Sequence, residues 1–248
     1  MPPRDIFEKF QKLLRDSDGE FRILEHQVPI ETQMEYFLYS GRLRELLPDD
    51  ADMAFDQFAS VLFDSTAKID QKKTILSALA VSKEVKAFRM LQEYVQKADK
   101  ELIDWAHMAL MESRVMLESE LTDEKQIYIS SGLGGKGNKM RFYILLLSAK
   151  GKQFVDYQKQ VIEREFAFAL QKDDCEIEEL SIKTNYVELS ILAPIQKNIK
   201  RYIKNIVSEC NQYGDFIANT ITITNVKKLA ENEIAQIIKK HEDFRTSP

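Results

Sequence analysis

The chain has 248 residues, of which 44% are hydrophobic and 30% charged, and its formal net charge is −5. This globular composition excludes a wholly disordered chain, and the length suggests about two domains of about 100–150 residues each. Residues 1–125 carry a net charge of −8 and residues 126–248 a net charge of +3. The second value is too small to indicate nucleic-acid binding by itself, so we expect no nucleic-acid partner.

The sequence contains neither a membrane-spanning segment nor a signal peptide, which suggests a cytoplasmic location. The longest strongly apolar run, residues 142–147, is far shorter than the ~20 residues of a membrane-spanning helix. The first 16 residues alternate charged and apolar side chains, unlike a signal peptide. Cys175 and Cys210 show no CxxC spacing, and we interpret them as reduced thiols. We therefore expect a cytoplasmic protein without a membrane partner.

The first half of the chain has the composition of consecutive helices, because residues 42–131 contain no glycine. A less regular stretch, residues 20–47, is expected to break near Pro29 and near Ser40–Gly41. Apolar spacing and N-cap residues predict helices over residues 3–15, 49–63, 70–81, 82–97 and 99–118. This half is therefore predicted to be an all-α domain, residues 1–122.

Part of that domain resembles HEAT-type helical repeats, in which helix pairs stack. The segment ALAVSKEVKAFRMLQEYVQKADKELIDWAHMALMES carries the resemblance, with Asp99 before the inner helix and Ala106 and Ala109–Leu110 within it. The resemblance covers about residues 69–118, and an arginine common near the start of the inner helix is absent. It implies a stacked helical array and an extended protein-binding surface. An irregular bundle is the alternative.

The second half alternates strands with helices. A strand is predicted at residues 126–131, then strand, helix, strand, strand, helix, strand, and a last helix. These seven elements are expected at residues 140–149, 152–171, 175–183, 186–193, 196–213, 220–224 and 226–241. The order from residue 140 is βαββαβ, which predicts a ferredoxin-like α+β domain over residues 126–248 with an extra N-terminal strand and a C-terminal helix.

A glycine-rich segment, GLGGKG at residues 132–137, is the most conspicuous motif. A strand follows it, whereas a dinucleotide-binding loop is followed by a helix, and Asn138 stands where a P-loop has lysine. One interpretation is a flexible hairpin loop. The other is an anion-binding loop of backbone N–H groups and cations, formed by Gly132, Gly134, Gly135, Lys136, Gly137, Lys139 and Arg141.

Other chemistry is not indicated by any motif. The three histidines (His26, His107 and His241) share no metal-ligand spacing, and no catalytic grouping stands out. We expect neither a metal nor a cofactor. A basic ridge on the helix at 196–213 is predicted to be a solvated face, with RNA binding as the disfavoured alternative; it consists of Lys197, Lys200, Arg201 and Lys204.

The strand at 140–149 is apolar on both faces. Three alternate side chains should face the helices of the ferredoxin-like domain, and Tyr143, Leu145 and Leu147 should face the other way. That second face must be covered by the helical half, by the last helix or by a second subunit. We predict that Tyr143, Leu145 and Leu147 form an interface.

These features favour a non-enzymatic protein-interaction or adaptor protein that binds a protein partner or itself. The alternative is a small-ligand module that senses an anion or a nucleotide with residues 132–141. An enzyme ranks third, because no catalytic constellation is visible.

Overall fold

The computed structural model describes residues 21–46, 54–122 and 127–246. The described residues divide between Gly132 and Leu133 into two compact units, called here the helical unit and the sheet unit. The mixed α+β class predicted from the sequence is confirmed. The helix predicted at residues 3–15 lies outside the described residues.

Five helices make up most of the helical unit. They are α1 (Ile30–Leu46), α2 (Phe55–Leu62), α3 (Ile69–Val81), α4 (Val85–Lys97) and α5 (Ile103–Thr122). The break predicted at Ser40–Gly41 is wrong, since α1 runs through it without interruption. Ser40 tolerates the helix interior because it is buried and its hydroxyl donates to Glu112 at 2.5 Å.

The core of the helical unit forms around Trp105 of α5, which packs against α3 and α4. The indole Nε1 donates to the Ser77 hydroxyl of α3 at 3.0 Å, so its one polar atom is satisfied inside the core. Tyr36 and Tyr39 of α1 meet the indole edge-on, with ring centroids 5.2 and 5.6 Å away. One aromatic side chain thus ties three helices together.

A buried carboxylate sets the rotation of α1 against α5. Glu112 accepts hydrogen bonds from Tyr36 at 2.6 Å, from Ser40 and from Arg44. The three donors are four residues apart, so they lie along one stripe of α1. Burial, followed by the Glu112 charge, raises the pKa of Tyr36 well above its usual value, so the phenol remains a donor.

Two short strands, β1 (Phe21–Ile23) and β2 (Ile127–Ile129), pair in parallel within the helical unit. Buried Gln33 of α1 holds the adjoining loops, because its side-chain amide donates to the carbonyls of Val28 at 2.8 Å and Ser131 at 3.2 Å. The strand predicted at 126–131 therefore exists, but it does not extend the second sheet. The division between the units falls after it, beyond the boundary predicted at residues 122–126.

The sheet unit contains five antiparallel strands. They are β3 (Gly135–Lys136), β4 (Lys139–Ser148), β5 (Glu176–Ile182), β6 (Tyr186–Pro194) and β7 (Ile217–Thr224). The four long strands lie in the order β7–β4–β6–β5, with β3 as a further neighbour of β4. The central strands are therefore β4 and β6.

Strands β3 and β7 share one edge of β4. The short β3 pairs with Lys139 and Met140, and β7 pairs with the stretch from Tyr143 to Ser148. The N–H of Leu133 donates to the carbonyl of Asn225 at 3.0 Å, which joins the β3 segment to the end of β7. A two-residue strand at one end of β4 leaves the rest of that edge free for β7.

Helices cover both faces of this sheet. Ile144 and Leu146 lie in a core with α6 (Asp156–Lys172) and α7 (Ile199–Asn211). Tyr143, Leu145 and Leu147 are buried on the other side, packed with Ile234, Ile237 and Ile238 of α8 (Glu231–Thr246). The last helix therefore covers this face, and the predicted interface of Tyr143, Leu145 and Leu147 is replaced by an intramolecular core.

We expect Tyr36→Phe to lower the free energy of unfolding of the helical unit by about 1.5–3 kcal/mol, because it removes a hydrogen bond to a buried charge. Tyr39→Phe is the matched control: its hydroxyl meets Thr74 at the surface, where water can replace it, so the loss should be about 0.5 kcal/mol or less. Urea unfolding followed by fluorescence of the single tryptophan, Trp105, measures both. Equal losses would contradict this role for Glu112.

Candidate functional site

The glycine-rich segment is a packed hairpin. Gly132, Gly134 and Gly135 are buried, and only the tip, residues 136–138, is exposed. Gly137 has φ of +59° at the first position of the two-residue turn between β3 and β4, where an L side chain would be strained. The Arg141 N–H donates to the Gly134 carbonyl at 3.0 Å. Much of the loop backbone is thus used within the fold.

The cations beside the loop already have anionic partners. Lys139 donates to Asp174 at 2.8 Å and to Glu176 at 2.7 Å. Arg141 forms a two-pronged ion pair with Glu178 and also donates to the Leu133 carbonyl at 2.6 Å. These contacts raise the pKa of Lys139 and lower the pKa of Glu178, as expected for opposite charges in contact.

These ion pairs cross a central strand of the sheet. Leu192 of β6 stands in register with Arg141 on one side and with Glu176 on the other. The long side chains of Lys139 and Arg141 therefore reach across β6 to carboxylates on or just before β5. Because the carboxylates reduce the positive potential of the loop, the geometry gives the predicted anion site little support.

A different surface, on α1, carries exposed apolar side chains. Met34, Phe37 and Leu38 are 61%, 46% and 65% exposed. Their spacing of three and four residues groups them on one side of α1, with Met34 and Leu38 turned away from Tyr36. Phe37 lies at the margin of this side, where its ring meets the Tyr36 ring edge-on with centroids 5.9 Å apart. Partly exposed Ile30 and Gly41 extend this side at either end. We call these five residues, Ile30, Met34, Phe37, Leu38 and Gly41, the α1 outer stripe.

The α1 outer stripe is not evident from the sequence, because the buried side of α1 carries polar groups, on Gln33, Tyr36 and Ser40, and no single apolar stripe marks the side that faces the core. A surface helix normally has one apolar stripe, so the pattern of residues 30–46 looked irregular. The useful signal is that Tyr36 and Ser40 repeat at four residues while Met34, Phe37 and Leu38 repeat on the other side. Scattered exposed apolar residues are normal, whereas a contiguous exposed patch marks a contact site.

Two histidines with no shared sequence motif meet in the helical unit. The rings of His26 and His107 stack with centroids 3.8 Å apart and planes 9° apart. His26 Nε2 lies 3.0 Å from an oxygen of Asp104. Burial, and then the neighbouring His26 ring, lowers the pKa of His107 to about 4. Among the described residues there is no group of three or more side chains that could hold a metal ion.

The basic ridge predicted on residues 196–213 lies on α7, except for Lys197, which precedes the helix. Lys200, Arg201 and Lys204 are exposed, whereas Lys197 contacts Asp173 and the ring of Tyr202. The opposite side of α7 is buried in the sheet unit, so the ridge has the geometry of a solvated helix face. None of the helices in the described ranges is long and apolar enough to cross a membrane.

Comparison with models of protein families finds no match, and comparison with curated proteins finds none either. Among solved structures, one named as a "putative transposase" from Deinococcus radiodurans R1 is similar to 42% of this chain and 90% of its own, at 16% sequence identity and a TM-score of 0.34. A similarity of this size carries no argument about fold or function. The proposals below therefore depend on the geometry of the chain itself.

We expect Gly137→Ala to destabilise the sheet unit by about 1–2 kcal/mol, because alanine is strained at positive φ although space for its Cβ is available. Asn138→Ala, at the neighbouring turn position, lacks this backbone requirement and is the control, with an expected change below about 0.5 kcal/mol. Urea unfolding followed by circular dichroism measures both changes. Equal effects of the two variants would show that the turn does not require Gly137.

Acid should weaken the helical unit through His107. Its pKa is about 4 in the folded chain and about 6.5 in a free histidine, so the unfolded chain binds the proton more readily. The stability contributed by neutral His107 is complete above pH 6.5 and is lost as the pH falls towards 4. We expect His107→Gln to reduce the change in urea midpoint between pH 7.5 and 5.0, as measured by Trp105 fluorescence.

His241→Gln is the control for this measurement. His241 lies in the sheet unit, whereas Trp105 fluorescence reports on the helical unit. It should leave the pH dependence of the Trp105 signal unchanged. If His107→Gln shows the same pH dependence as the unchanged chain, the stacked pair does not disfavour protonation of His107.

Proposed function

We propose that this chain is a protein-interaction or adaptor module, without a catalytic role, and that a partner helix docks on the α1 outer stripe. The observation that carries the proposal is the exposure of Met34, Phe37 and Leu38 together on one side of a helix whose other side is buried. An amphipathic helix laid against such a stripe buries both apolar surfaces. Each fully buried apolar side chain contributes about 1.5–3 kcal/mol.

The architecture supports this proposal in two ways. We interpret α3, α4 and α5 as a HEAT-like array, since α5 packs against both preceding helices. We interpret the sheet unit as a ferredoxin-like arrangement, because the strand order β7–β4–β6–β5 with α6 and α7 on one face is the one that a βαββαβ chain adopts. Both arrangements are common scaffolds for binding surfaces, and neither specifies a reaction.

The alternative, an anion or nucleotide sensor at residues 132–141, has less support. Lys139 and Arg141 would have to exchange their carboxylate partners for the ligand, and Gly134 already accepts the Arg141 N–H. Lys136 at the tip of the hairpin is exposed. One exposed lysine supplies little of the charge that a phosphate requires.

We also propose a cytoplasmic location, in which the cysteines remain thiols. Cys175 and Cys210 are both buried and free. Burial raises the pKa of Cys210 to about 12, which leaves it as an unreactive thiol at neutral pH.

The docking proposal is tested by comparing variants of the tagged full-length chain in affinity purification from its native cells. Phe37→Asp places a charge in the α1 outer stripe and should abolish recovery of a stoichiometric partner. Phe168→Asp is the matched control, since Phe168 is a more exposed phenylalanine, at 67%, on α6 of the sheet unit. Partner recovery that is unchanged by Phe37→Asp, or lost equally in both variants, would overturn the proposal.

A further inference from the structure

The α1 outer stripe is bordered on one flank by two opposite charges. Glu31 and Arg42 are both exposed, and among the described residues neither has an ion-pair partner. They are eleven residues apart, which is close to three full helical turns, so they lie within about 20° of each other around the axis of α1. The helical rise of about 1.5 Å per residue separates Glu31 from Arg42 by about 16 Å along that axis.

From this arrangement we infer that a second copy of the chain docks on the α1 outer stripe, with the two α1 helices antiparallel. The inference rests on the proposed function, whose docking surface it uses, and it names the partner. A twofold axis relating two antiparallel helices brings each flank against the same flank of the other copy. Glu31 of one copy then faces Arg42 of the second copy, and the pair occurs twice.

The charge pattern and the apolar pattern require the same position of that axis. Glu31 of one copy lies directly opposite Arg42 of the second copy when the twofold axis passes between residues 36 and 37. The α1 outer stripe runs from Ile30 to Gly41, and its middle lies within one residue of that point. One position of the axis therefore pairs the charges and superposes the two apolar stripes. A parallel pair would bring opposite flanks together and leave both charges without partners.

Gly41 favours close approach of the second helix. A Cβ added at this glycine would meet nothing within 4 Å, so the missing side chain leaves a shallow gap on the outer side of α1. In the antiparallel arrangement the gap lies near Ile30 of the second copy. A protruding apolar side chain opposite a gap is the shape complementarity that a self-interface needs.

The size of the contact sets its expected strength. Seventeen residues of α1 give a helix about 25 Å long, and a side about 10 Å wide gives a footprint of about 250 Å². A standard interface buries about 800 Å² per partner, so the dimer should be weak, with dissociation in the micromolar range or above. We therefore expect a reversible monomer–dimer equilibrium that follows protein concentration.

Sedimentation analysis of the purified full-length chain over a concentration series tests the inference. The unchanged chain should shift from monomer to dimer, and Phe37→Asp should weaken the dimer at least tenfold. Leu38→Lys is a second variant at a more exposed position, in case Phe37→Asp folds poorly by circular dichroism. Phe168→Asp should dimerise like the unchanged chain.

The charge pair has its own test. Arg42→Glu should weaken the dimer roughly three- to tenfold, because it converts two attractive contacts into repulsive ones. Adding Glu31→Arg to the same chain restores opposite charges and should return dissociation to within about twofold of the unchanged chain. A failure of this rescue would overturn the antiparallel arrangement.

The remaining outcomes separate this inference from the proposed function. A chain that stays monomeric at all concentrations overturns the second copy as partner, while loss of a different protein in the Phe37→Asp purification would still support docking on α1. A dimer that is insensitive to both Phe37→Asp and Leu38→Lys overturns the inference. If neither self-association nor a partner depends on Phe37, both proposals fail.

Discussion

The carboxylate of Glu112 is the constraint on which the helical unit depends. A buried carboxylate costs several kcal/mol unless its oxygens accept hydrogen bonds, and all three donors found for it come from α1. Tyr36, Ser40 and Arg44 must therefore face inward together, which fixes the rotation of α1 about its own axis. Once this side is committed to Glu112, Met34, Phe37 and Leu38 are left exposed to solvent.

The sheet unit uses its polar groups in a comparable way. Lys139 and Arg141 could bind an anionic ligand, but they are held by the carboxylates of Asp174 and of Glu176 and Glu178 in β5. These contacts brace an edge strand against the centre of the sheet. In both units, charged groups contribute to packing within the unit.

The sequence predicts what depends on local pattern. The strands β4 to β6 and the helices α3 to α7 agree with the expected elements within a few residues, because glycine placement and apolar period act over short distances. The N-cap predicted at Ser82 is wrong, since Ser82 caps the C-terminus of α3 and α4 begins after Glu84. Helix α6 starts at Asp156, four residues after the predicted start, since the segment before it runs extended and the Phe154 N–H donates to the Thr184 carbonyl. That contact is not visible in the local pattern.

What the sequence does not predict depends on contacts between distant residues. Residues 127–129 alternate like any strand, and nothing in them specifies a partner more than one hundred residues earlier in the chain. The stack of His26 on His107 and the convergence of three α1 side chains on Glu112 are of the same kind. The α1 outer stripe is recognisable as a surface only once the inward side of α1 is known, because an apolar stripe on a helix is normally expected to face the core.

The pairing of β1 with β2 has a consequence for how the helical unit folds. Phe21 lies opposite Ile127, so this contact closes a loop of more than one hundred residues around all five helices. Most helix contacts inside that loop, such as those between α3, α4 and α5, span shorter stretches of chain than the strand pair does, and contacts of lower sequence separation form more readily. Forming the strand pair costs the entropy of closing this whole loop, and only three residue pairs form in return. It should therefore form after the helices have packed, and it should be the first part of the unit to open.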